Sequence, residues 1–155
     1  LLQRPDDAEL INLLGAALVE RSRFAEAEAR FREASELNSA LADPRARLGW
    51  LLYERQGKAA EAKQLLEQAL AIDPDHEKAR YTLGLVHQRE GALDSAALVF
   101  ARLLERIPSA EAHRQLGLVY LQQGDLEQAT KALREAERWW PYDHQVLVGL
   151  GQALA

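Results

Sequence analysis

The sequence contains no cysteine and no methionine, and it has no apolar run long enough to cross a membrane. Without cysteine there are no disulfides, no thiolate metal ligands and no cysteine nucleophile. A membrane-spanning helix needs about 18 consecutive apolar residues, and no charged-then-apolar signal segment opens the chain. The missing methionine is what an interior piece of a longer protein would show. None of these absences indicates a compartment, so cytoplasm and periplasm both stay open.

Basic charge is also scarce. The chain has 19 Lys and Arg against 24 Asp and Glu, a formal net charge of −5. Because nucleic-acid-binding domains normally carry a basic face, this composition disfavours nucleic acid as a partner. A hydrophobic fraction of 48% with 28% charged residues is typical of a folded domain. At 155 residues the chain is long enough to form its own core.

The sequence contains one pattern that occurs five times. Leu-Gly pairs recur at intervals of 34, 35, 33 and 34 residues, at Leu14-Gly15, Leu48-Gly49, Leu83-Gly84, Leu116-Gly117 and Leu150-Gly151. An alanine keeps step with each of the first four pairs, at Ala27, Ala62, Ala96 and Ala129. Self-similarity at a period of this size indicates a repeat architecture.

Each unit is predicted to be a helical hairpin. Between the markers, apolar residues recur at three- and four-residue spacing, which predicts amphipathic helices. Gly91 and Gly124 fall between two such stripes and suit a tight turn, because a left-handed backbone costs glycine least. Prolines such as Pro74 and Pro141 then end the second helix, since proline lacks an N–H. A glycine facing an alanine would let the two backbones approach closely.

This pattern resembles the tetratricopeptide repeat (TPR), a helix–turn–helix unit of about 34 residues. The resemblance rests above all on one unit: Leu116-Gly117, Tyr120, Gly124, Leu126, Ala129, Leu133, Ala136 and Pro141. It implies an all-α fold, a right-handed superhelix (α-solenoid) of hairpins. The Ala-, Arg- and Leu-rich usage looks bacterial. The second unit departs from the pattern by one extra residue between Leu48 and Gly57, which predicts a bulged first helix or a longer turn.

The repeat frame predicts six segments along the chain. They are 1–7 (tail of a preceding repeat), 8–41, 42–76 (with the insertion), 77–109, 110–143 and 144–155 (first helix of a further repeat, or a capping helix). The last helix has no second helix to cover it, whereas repeat arrays normally end in a polar cap. We therefore expect its apolar face to support self-association or to lie half exposed. That face consists of Val146, Leu147, Leu150 and Leu154.

No catalytic, cofactor-binding or metal-binding residue is predicted, and the chain is not expected to be an enzyme. No two histidines are spaced at i, i+4, as a zinc-protease helix requires. The glycines are spread along the units, so no phosphate-binding loop is present. We expect His76 and His144 at the surface and His87 in helix packing.

In TPR superhelices the first helices line a concave groove, so the resemblance implies a partner-binding surface there. The side chains expected to face it are Asn12, Arg47, Trp50, Lys78, Tyr81, Leu85, Arg89, Arg114 and Leu118. Their mixture of aromatic, aliphatic and basic groups is typical of a peptide-binding surface. A clamp for chaperone tails is disfavoured, because only Lys78 matches that pattern. Near the end, Trp139 is expected to pack between repeats and Trp140 to cover the final helix.

The predicted function is a protein–protein interaction scaffold that holds a peptide segment or partner subunit, within a larger bacterial assembly or a secretion or envelope protein. Two alternatives stay open. The chain could be an accessory TPR domain of an enzyme, such as a glycosyltransferase or hydroxylase, whose catalytic part lies elsewhere. It could also be a homo-oligomerisation module. The placement in a bacterial assembly or a secretion or envelope protein rests only on analogy with other proteins of this fold.

Overall fold

The computed structural model describes residues 5–155, and within them it contains nine α-helices and no strand. The helices are α1 (Pro5–Glu20), α2 (Phe24–Leu37), α3 (Ala42–Gln56), α4 (Ala59–Ile72), α5 (Glu77–Arg89), α6 (Leu93–Leu104), α7 (Ala110–Gln123), α8 (Leu126–Trp139) and α9 (His144–Leu154). The all-α prediction is confirmed. The predicted tail at 1–7 is corrected in part, because residues 5–7 already belong to α1; residues 1–4 lie outside the described residues.

The chain divides into two compact units, and the division falls inside α5, between Thr82 and Leu83. In unit 1, α1 packs on α2 and α3 packs on α4, while α3 also contacts α1 and α2. Two large side chains from the second helices, Phe31 and Leu66, are fully buried there. They lie where a Cβ on Gly15 or Gly49 would come within 2.6 or 2.8 Å of them. Each hairpin thus closes with a large side chain over the first-helix glycine, where the sequence predicted an alanine opposite it.

Unit 2 uses the same construction. The helix α7 packs on α6, α8 and α9, and α8 also packs on α9. A Cβ on Gly84 would lie 2.7 Å from the buried ring of Phe100, and a Cβ on Gly117 would lie 2.5 Å from Leu133. No helix among the described residues is long and apolar enough to span a bilayer.

The turns inside the hairpins use a left-handed residue. Gly91 and Gly124 have φ of +75° and +80°, which confirms the predicted role of glycine at these two positions. The extra residue of the second unit is absorbed in the last turn of α3. There the N–H groups of Gly57 and Lys58 both donate to the carbonyl oxygen of Leu52. Counted from the turn glycine, this acceptor lies one residue earlier in the helix than the acceptor in the turn at Gly124. The helix therefore ends on a widened turn.

The last helix is less bare than the sequence suggests. Val146 is fully buried and Leu150 is 7% exposed, because both join Leu133 and Ala136 in a core cluster against α8. Only the other half of the predicted apolar face stays exposed. Asp143 caps the start of this helix: its carboxylate accepts a hydrogen bond from the Val146 N–H at 2.9 Å, which satisfies a free backbone donor.

Candidate functional site

A cluster of polar side chains centred on Asp43 lies on the first helices of unit 1. Oδ2 of Asp43 accepts hydrogen bonds from Nδ2 of Asn12 at 2.7 Å and from Nε of Arg47 at 2.5 Å. Oδ1 lies 3.3 Å from Nε2 of His76. We call Asn12, Asp43, Arg47 and His76 the Asp43 cluster. It ties α1 and α3 to the residue that precedes α5.

The hydrogen bonds of His76 define its tautomer. Nδ1 accepts a hydrogen bond from the backbone N–H of Ala79 at 3.2 Å, so it carries no proton. Nε2 of the neutral ring is then protonated and donates to Asp43. The imidazole therefore caps α5 with one nitrogen and positions Asp43 with the other. Its side chain is 13% exposed, which corrects the expectation of a simple surface histidine.

Asp43 is held in its charged form. Burial by itself would raise the pKa of this carboxyl, but the hydrogen bonds from His76, Arg47 and Asn12 outweigh it and hold the pKa well below the usual range. Both oxygens are engaged by these donors, so Asp43 fixes its neighbours in place. A carboxylate so occupied has little capacity left for a ligand.

A small cavity of about 150 Å³ lies beside this cluster. Ala16, Val19 and Phe31 contribute apolar lining, Trp50 is an aromatic lining residue, and Arg47, Lys78 and Glu20 bring charge. We call this space the Trp50 cavity. All seven residues belong to unit 1. An apolar space with a few charged groups is the usual composition of a site that takes a partner's side chain.

Lys78 is the cation of this cavity without a counter-ion. Its ammonium lies 5.0 Å from the centre of the Trp50 ring, within cation–π distance. Burial lowers the pKa of Lys78, the nearby Arg47 lowers it further, and Asp43 acts in the opposite direction. In the part of the chain that the structure describes, Lys78 makes no ion pair. It is therefore available to an anionic group of a ligand.

The predicted groove residues do not all share this role. Arg47, Trp50 and Lys78 come together at the Trp50 cavity, as the register of the first helices predicts. Asn12 is corrected: it is 6% exposed and directs its amide to Asp43, so it supports the site from within. Tyr81 is half-buried on the same unit.

In unit 2 the predicted groove residues lie in other surroundings. Arg114 is 16% exposed in its side chain, donates to Asp143 at 3.2 Å and stacks over Trp140 at 5.4 Å. It is therefore engaged by groups of its own unit, and its predicted role in the groove stays a prediction. Leu118 lines a separate open space of about 240 Å³ against α9. Leu85 is half-buried and Arg89 is exposed.

The tryptophan pair at the end of α8 also differs from expectation. Trp139 is 60% exposed and does not pack between repeats. The helix ends at this residue, and the backbone at Trp140 leaves the helical conformation. That change carries the Trp140 ring to Arg114, while Trp139 stays in solvent.

Sequence reasoning missed Asp43 and underrated His76. The repeat register could have identified Asp43. It lies five residues before the marker Leu48, just as Lys78 lies five residues before the marker Leu83. Asp43 and Arg47 are also spaced at i, i+4, a pairing distance on a helix. His76 could not be placed, since its contact with Asp43 spans 33 residues of chain. In residues 5–155 no group of three or more His, Asp or Glu is arranged to hold a metal ion.

Family comparisons agree with this repeat geometry. Two tetratricopeptide repeat models match the chain, one over residues 53–117 and one over residues 110–139. Together they cover more than half of its length. The chain belongs to the tetratricopeptide repeat family. Its fold is an all-α solenoid of TPR hairpins.

Two curated relatives are longer than this chain. The cytochrome c-type biogenesis protein CycH of Bradyrhizobium diazoefficiens is 32% identical over 118 residues, which cover 75% of this chain and 32% of CycH. A TPR repeat-containing protein of Pseudomonas aeruginosa is 40% identical over 85 residues, covering 52% of this chain and 14% of that protein. The chain thus spans about a third or less of these relatives.

Solved structures show the same fold. MamA of Desulfovibrio magneticus superposes with a TM-score of 0.85 at 23% identity, covering 96% of this chain and 84% of MamA. PilF of Pseudomonas aeruginosa gives a TM-score of 0.85 at 21% identity, covering 97% of this chain and 69% of PilF. YrrB, described as a TPR protein with an unusual peptide-binding site, gives 0.76 at 26% identity, covering 86% of this chain and 69% of YrrB.

Proposed function

We propose that this chain is a protein-interaction scaffold that binds a segment of a partner protein on the first-helix face of unit 1. The Trp50 cavity carries the proposal, because it joins an apolar space to a cation that lacks a counter-ion. A cavity of about 150 Å³ has room for a group about the size of benzene. One aliphatic or aromatic side chain of the partner therefore fits, as an anchor of the kind that dominates protein interfaces.

The charges beside the cavity favour an acidic neighbour to that anchor. Arg47 donates to Asp43 through Nε, and its terminal nitrogens make no hydrogen bond within the described residues. Together with Lys78 they present donors that suit a carboxylate. Glu20, another lining residue of the cavity, can accept an N–H from the partner's backbone. The preferred ligand is a segment with a large apolar residue close to an Asp or Glu.

The comparisons support a scaffold role at a coarser level. YrrB is a TPR protein described by its peptide-binding site, and it is 26% identical to this chain. The placement in a larger bacterial assembly or a secretion or envelope protein stays a proposal, for which the bacterial relative CycH, named for cytochrome c-type biogenesis, offers limited support. No catalytic constellation is proposed, and we expect the chain to bind rather than transform its partner.

A displayed library of random peptides tests the proposal. Selected peptides should share a large apolar residue next to an acidic one, and Trp50→Ala should lower their affinity at least tenfold, since it removes an aromatic side of the cavity. Trp139→Ala is the matched control, because Trp139 is an exposed tryptophan outside the cavity. Peptides that bind the Trp50→Ala and parent proteins equally would contradict the proposed site.

Charge reversal tests the acidic preference separately. Lys78→Glu should weaken binding of the same peptides, and Lys131→Glu, which alters an exposed lysine on α8, should not. Arg114 is left unchanged, because its pair with Asp143 belongs to the fold. Equal loss in both lysine variants would mean that net charge, and not the cavity, controls binding.

A second candidate function is an accessory repeat segment of a glycosyltransferase. Human protein O-mannosyl-transferase TMTC3 is 29% identical over 147 residues, covering 93% of this chain but 16% of that protein. Reading the genomic sequence on both sides of this segment tests it. A neighbouring catalytic glycosyltransferase domain in the same frame supports the accessory role, whereas its absence from the whole gene rejects it.

A further inference from the structure

The loop between α8 and α9 concentrates aromatic residues on the surface. The chain has three Trp and four Tyr, and three of these seven residues lie between positions 139 and 142. Trp139 is 60% exposed, Trp140 is 39% exposed and Tyr142 is 92% exposed. Together with Pro141 they line an open space of about 470 Å³. We call these four residues the aromatic loop patch.

The packing of the repeat does not call for aromatic rings at this place. Counted from the marker alanine of the second helix, Trp139 and Pro141 hold the positions of Arg106 and Pro108 in the preceding loop. That loop is followed by the complete hairpin of α7 and α8, and Arg106 and Pro108 are exposed there as well. Exposure therefore belongs to the loop position, and the fold accepts a charged residue where this loop has a tryptophan.

The patch offers mainly hydrogen-bond donors. In the part of the chain that the structure describes, the indole N–H groups of Trp139 and Trp140 and the hydroxyl of Tyr142 have no hydrogen-bond partner. The carboxylate beside them is already occupied. Asp143 accepts from Nη1 of Arg114 at 3.2 Å and from a backbone N–H of α9 at 2.9 Å. A ligand for this surface should therefore supply acceptors and need few acceptors in return.

An extended proline-rich segment has this chemistry. Proline has a carbonyl oxygen but no N–H, so a run of prolines presents acceptors and no backbone donor. Its polyproline II conformation is preformed and loses little freedom on binding, and aromatic-lined grooves take such segments by packing against the proline rings. A sugar would also stack on the rings. Its hydroxyl groups are donors as well, however, and they would find the carboxylate of Asp143 occupied.

The charges beside the patch favour a basic residue in the same segment. Arg114 lies over the Trp140 ring at 5.4 Å and lines the same space. Two carboxylates face its single positive charge, Asp143 at 3.2 Å and Glu111 at 3.8 Å. The charge around Arg114 is therefore negative in sum, and the whole chain carries −5. A cationic side chain of the ligand would be attracted here and an anionic one repelled.

We propose that the aromatic loop patch binds an extended proline-rich segment of a partner protein that also contains an arginine or lysine. The prolines pack on its three rings, and the two indole N–H groups donate to carbonyl oxygens of the segment. The basic residue lies near the carboxylates of Glu111 and Asp143. The patch shares no residue with the Trp50 cavity, and its ligand is basic where the ligand of the cavity is acidic. This second surface therefore goes beyond the function proposed above and does not depend on it.

A blocked peptide of about eight prolines ending in an arginine is the probe for this surface. The chain has three tryptophans, so the isotope-labelled 155-residue protein gives three indole N–H signals in an NMR spectrum. The peptide should shift the signals of Trp139 and Trp140 to saturation and leave that of Trp50 unchanged. Trp50 is thus a control within the same spectrum.

Variants of the exposed rings measure what each ring contributes. Trp139→Ala and Tyr142→Ala should each lower the affinity roughly tenfold, because each removes a face on which prolines pack. The melting temperature should stay that of the parent, since both side chains lie largely in solvent. Leu98→Ala is the matched control. Leu98 is 53% exposed on α6 of the same unit and lies outside the patch, so this variant should bind the peptide like the parent.

Changes in the peptide test the two parts of the recognition separately. A peptide with glutamate in place of the arginine should bind several-fold more weakly, and the difference should shrink at high salt. A glycine- and serine-rich peptide of the same length with the same arginine should bind roughly tenfold more weakly. It lacks both the proline rings and the preformed extended conformation.

Three results would overturn the proposal. One is the absence of shifts in the Trp139 and Trp140 signals at millimolar peptide. The second is equal affinity of the parent, Trp139→Ala and Tyr142→Ala. The third is saturable binding of maltohexaose at the two indoles without binding of the proline peptide, which would assign the patch to a sugar. Each of these would leave the Trp50 cavity untouched, because its acidic ligands bind through other residues.

Discussion

The first helices of unit 1 and of unit 2 both carry cations near the predicted groove, but the two units hold them differently. In unit 1, Arg47 keeps its terminal nitrogens free beside a cavity, and Lys78 has no anionic partner in the described residues. In unit 2, Arg114 pairs with Asp143 and stacks over an aromatic ring. Helical register predicts which face a cation lies on. Its local counter-charges decide whether the cation stays available at the surface or is engaged by the fold.

The surface cations differ between the two units, but the cores of the two units are built alike. Leu66 in unit 1 and Phe100 in unit 2 are both fully buried against a glycine of the first helix. The repeat therefore conserves its packing and varies its charges. A solenoid of this kind keeps one packing rule while each unit acquires its own surface chemistry.

The largest effect should come from filling these glycines. Gly49→Leu in unit 1 and Gly84→Leu in unit 2 should each lower the free energy of unfolding by roughly 1–3 kcal/mol through overpacking. The added Cβ atoms would lie 2.8 Å from Leu66 and 2.7 Å from Phe100, and both side chains are buried. Urea denaturation followed by circular dichroism measures the loss.

Gly151→Leu is the control for this pair, because its Cβ would lie in open space and its stability should stay near that of the parent. If one unit tolerated its leucine and the other did not, the claim that both units share one packing rule would be wrong. If Gly151→Leu were as damaging as the others, a general cost of leucine in these helices would explain all three.

The next largest effect should distinguish Arg114 from Arg47. Arg114→Ala should destabilise the protein by about 1–2 kcal/mol, because it leaves the half-buried carboxylate of Asp143 without its charged partner. Arg47→Ala should cost less, about 0.5–1 kcal/mol, since His76 and Asn12 still donate to Asp43. Chemical denaturation at neutral pH provides the comparison.

Lys131→Ala serves as the reference for an exposed pair and should change stability by less than about 0.5 kcal/mol. Equal losses for Arg47→Ala and Arg114→Ala would remove the distinction between a cation held for a ligand and one held for the fold.

The hairpins were predictable from sequence because their signals are local. The Leu-Gly pairs, the alanines and the turn glycines each act within one unit. The contact between Gly84 and Phe100 was not predicted, because the repeat spacing suggested an alanine opposite the glycine. The widened end of α3 was foreseen as one of two outcomes, since one extra residue must enter either the helix or the turn.

For the candidate site, the sequence predicted only which face of the first helices it occupies. Arg47, Trp50 and Lys78 were identified because they share a register on the first helices. The engagement of Arg114 depends on Asp143, which lies 29 residues later in a loop, and no local pattern reports such a contact. The exposure of Trp139 likewise follows from where α8 ends, and helix ends are hard to place from sequence.

The smallest effect should come from the charge of Asp43, and it tests unit 1 alone. Burial opposes ionisation of this carboxyl, but hydrogen bonds from His76, Arg47 and Asn12 prevail, so its pKa is lower in the folded than in the unfolded chain. The stability that this charge adds is complete above the ordinary carboxyl pKa of about 3.9 and is lost as the pH falls below it. Because the side chain is 39% exposed, solvent screening limits the contribution to about 1 kcal/mol or less.

Asp43→Asn should therefore lower stability slightly at neutral pH and flatten its decline in acid, as measured by urea midpoints between about pH 7 and pH 3. Asp125→Asn is the matched control, because asparagine caps a helix as aspartate does and the donors around Asp43 are untouched, so the part of the acid decline that Asp43 causes should persist. If Asp43→Asn declined in acid as steeply as the parent, the three donors around Asp43 would not be holding a charge. Arg47 would then have no fixed anionic partner to orient it at neutral pH. The argument that Arg47 is held in place for a ligand would therefore fail.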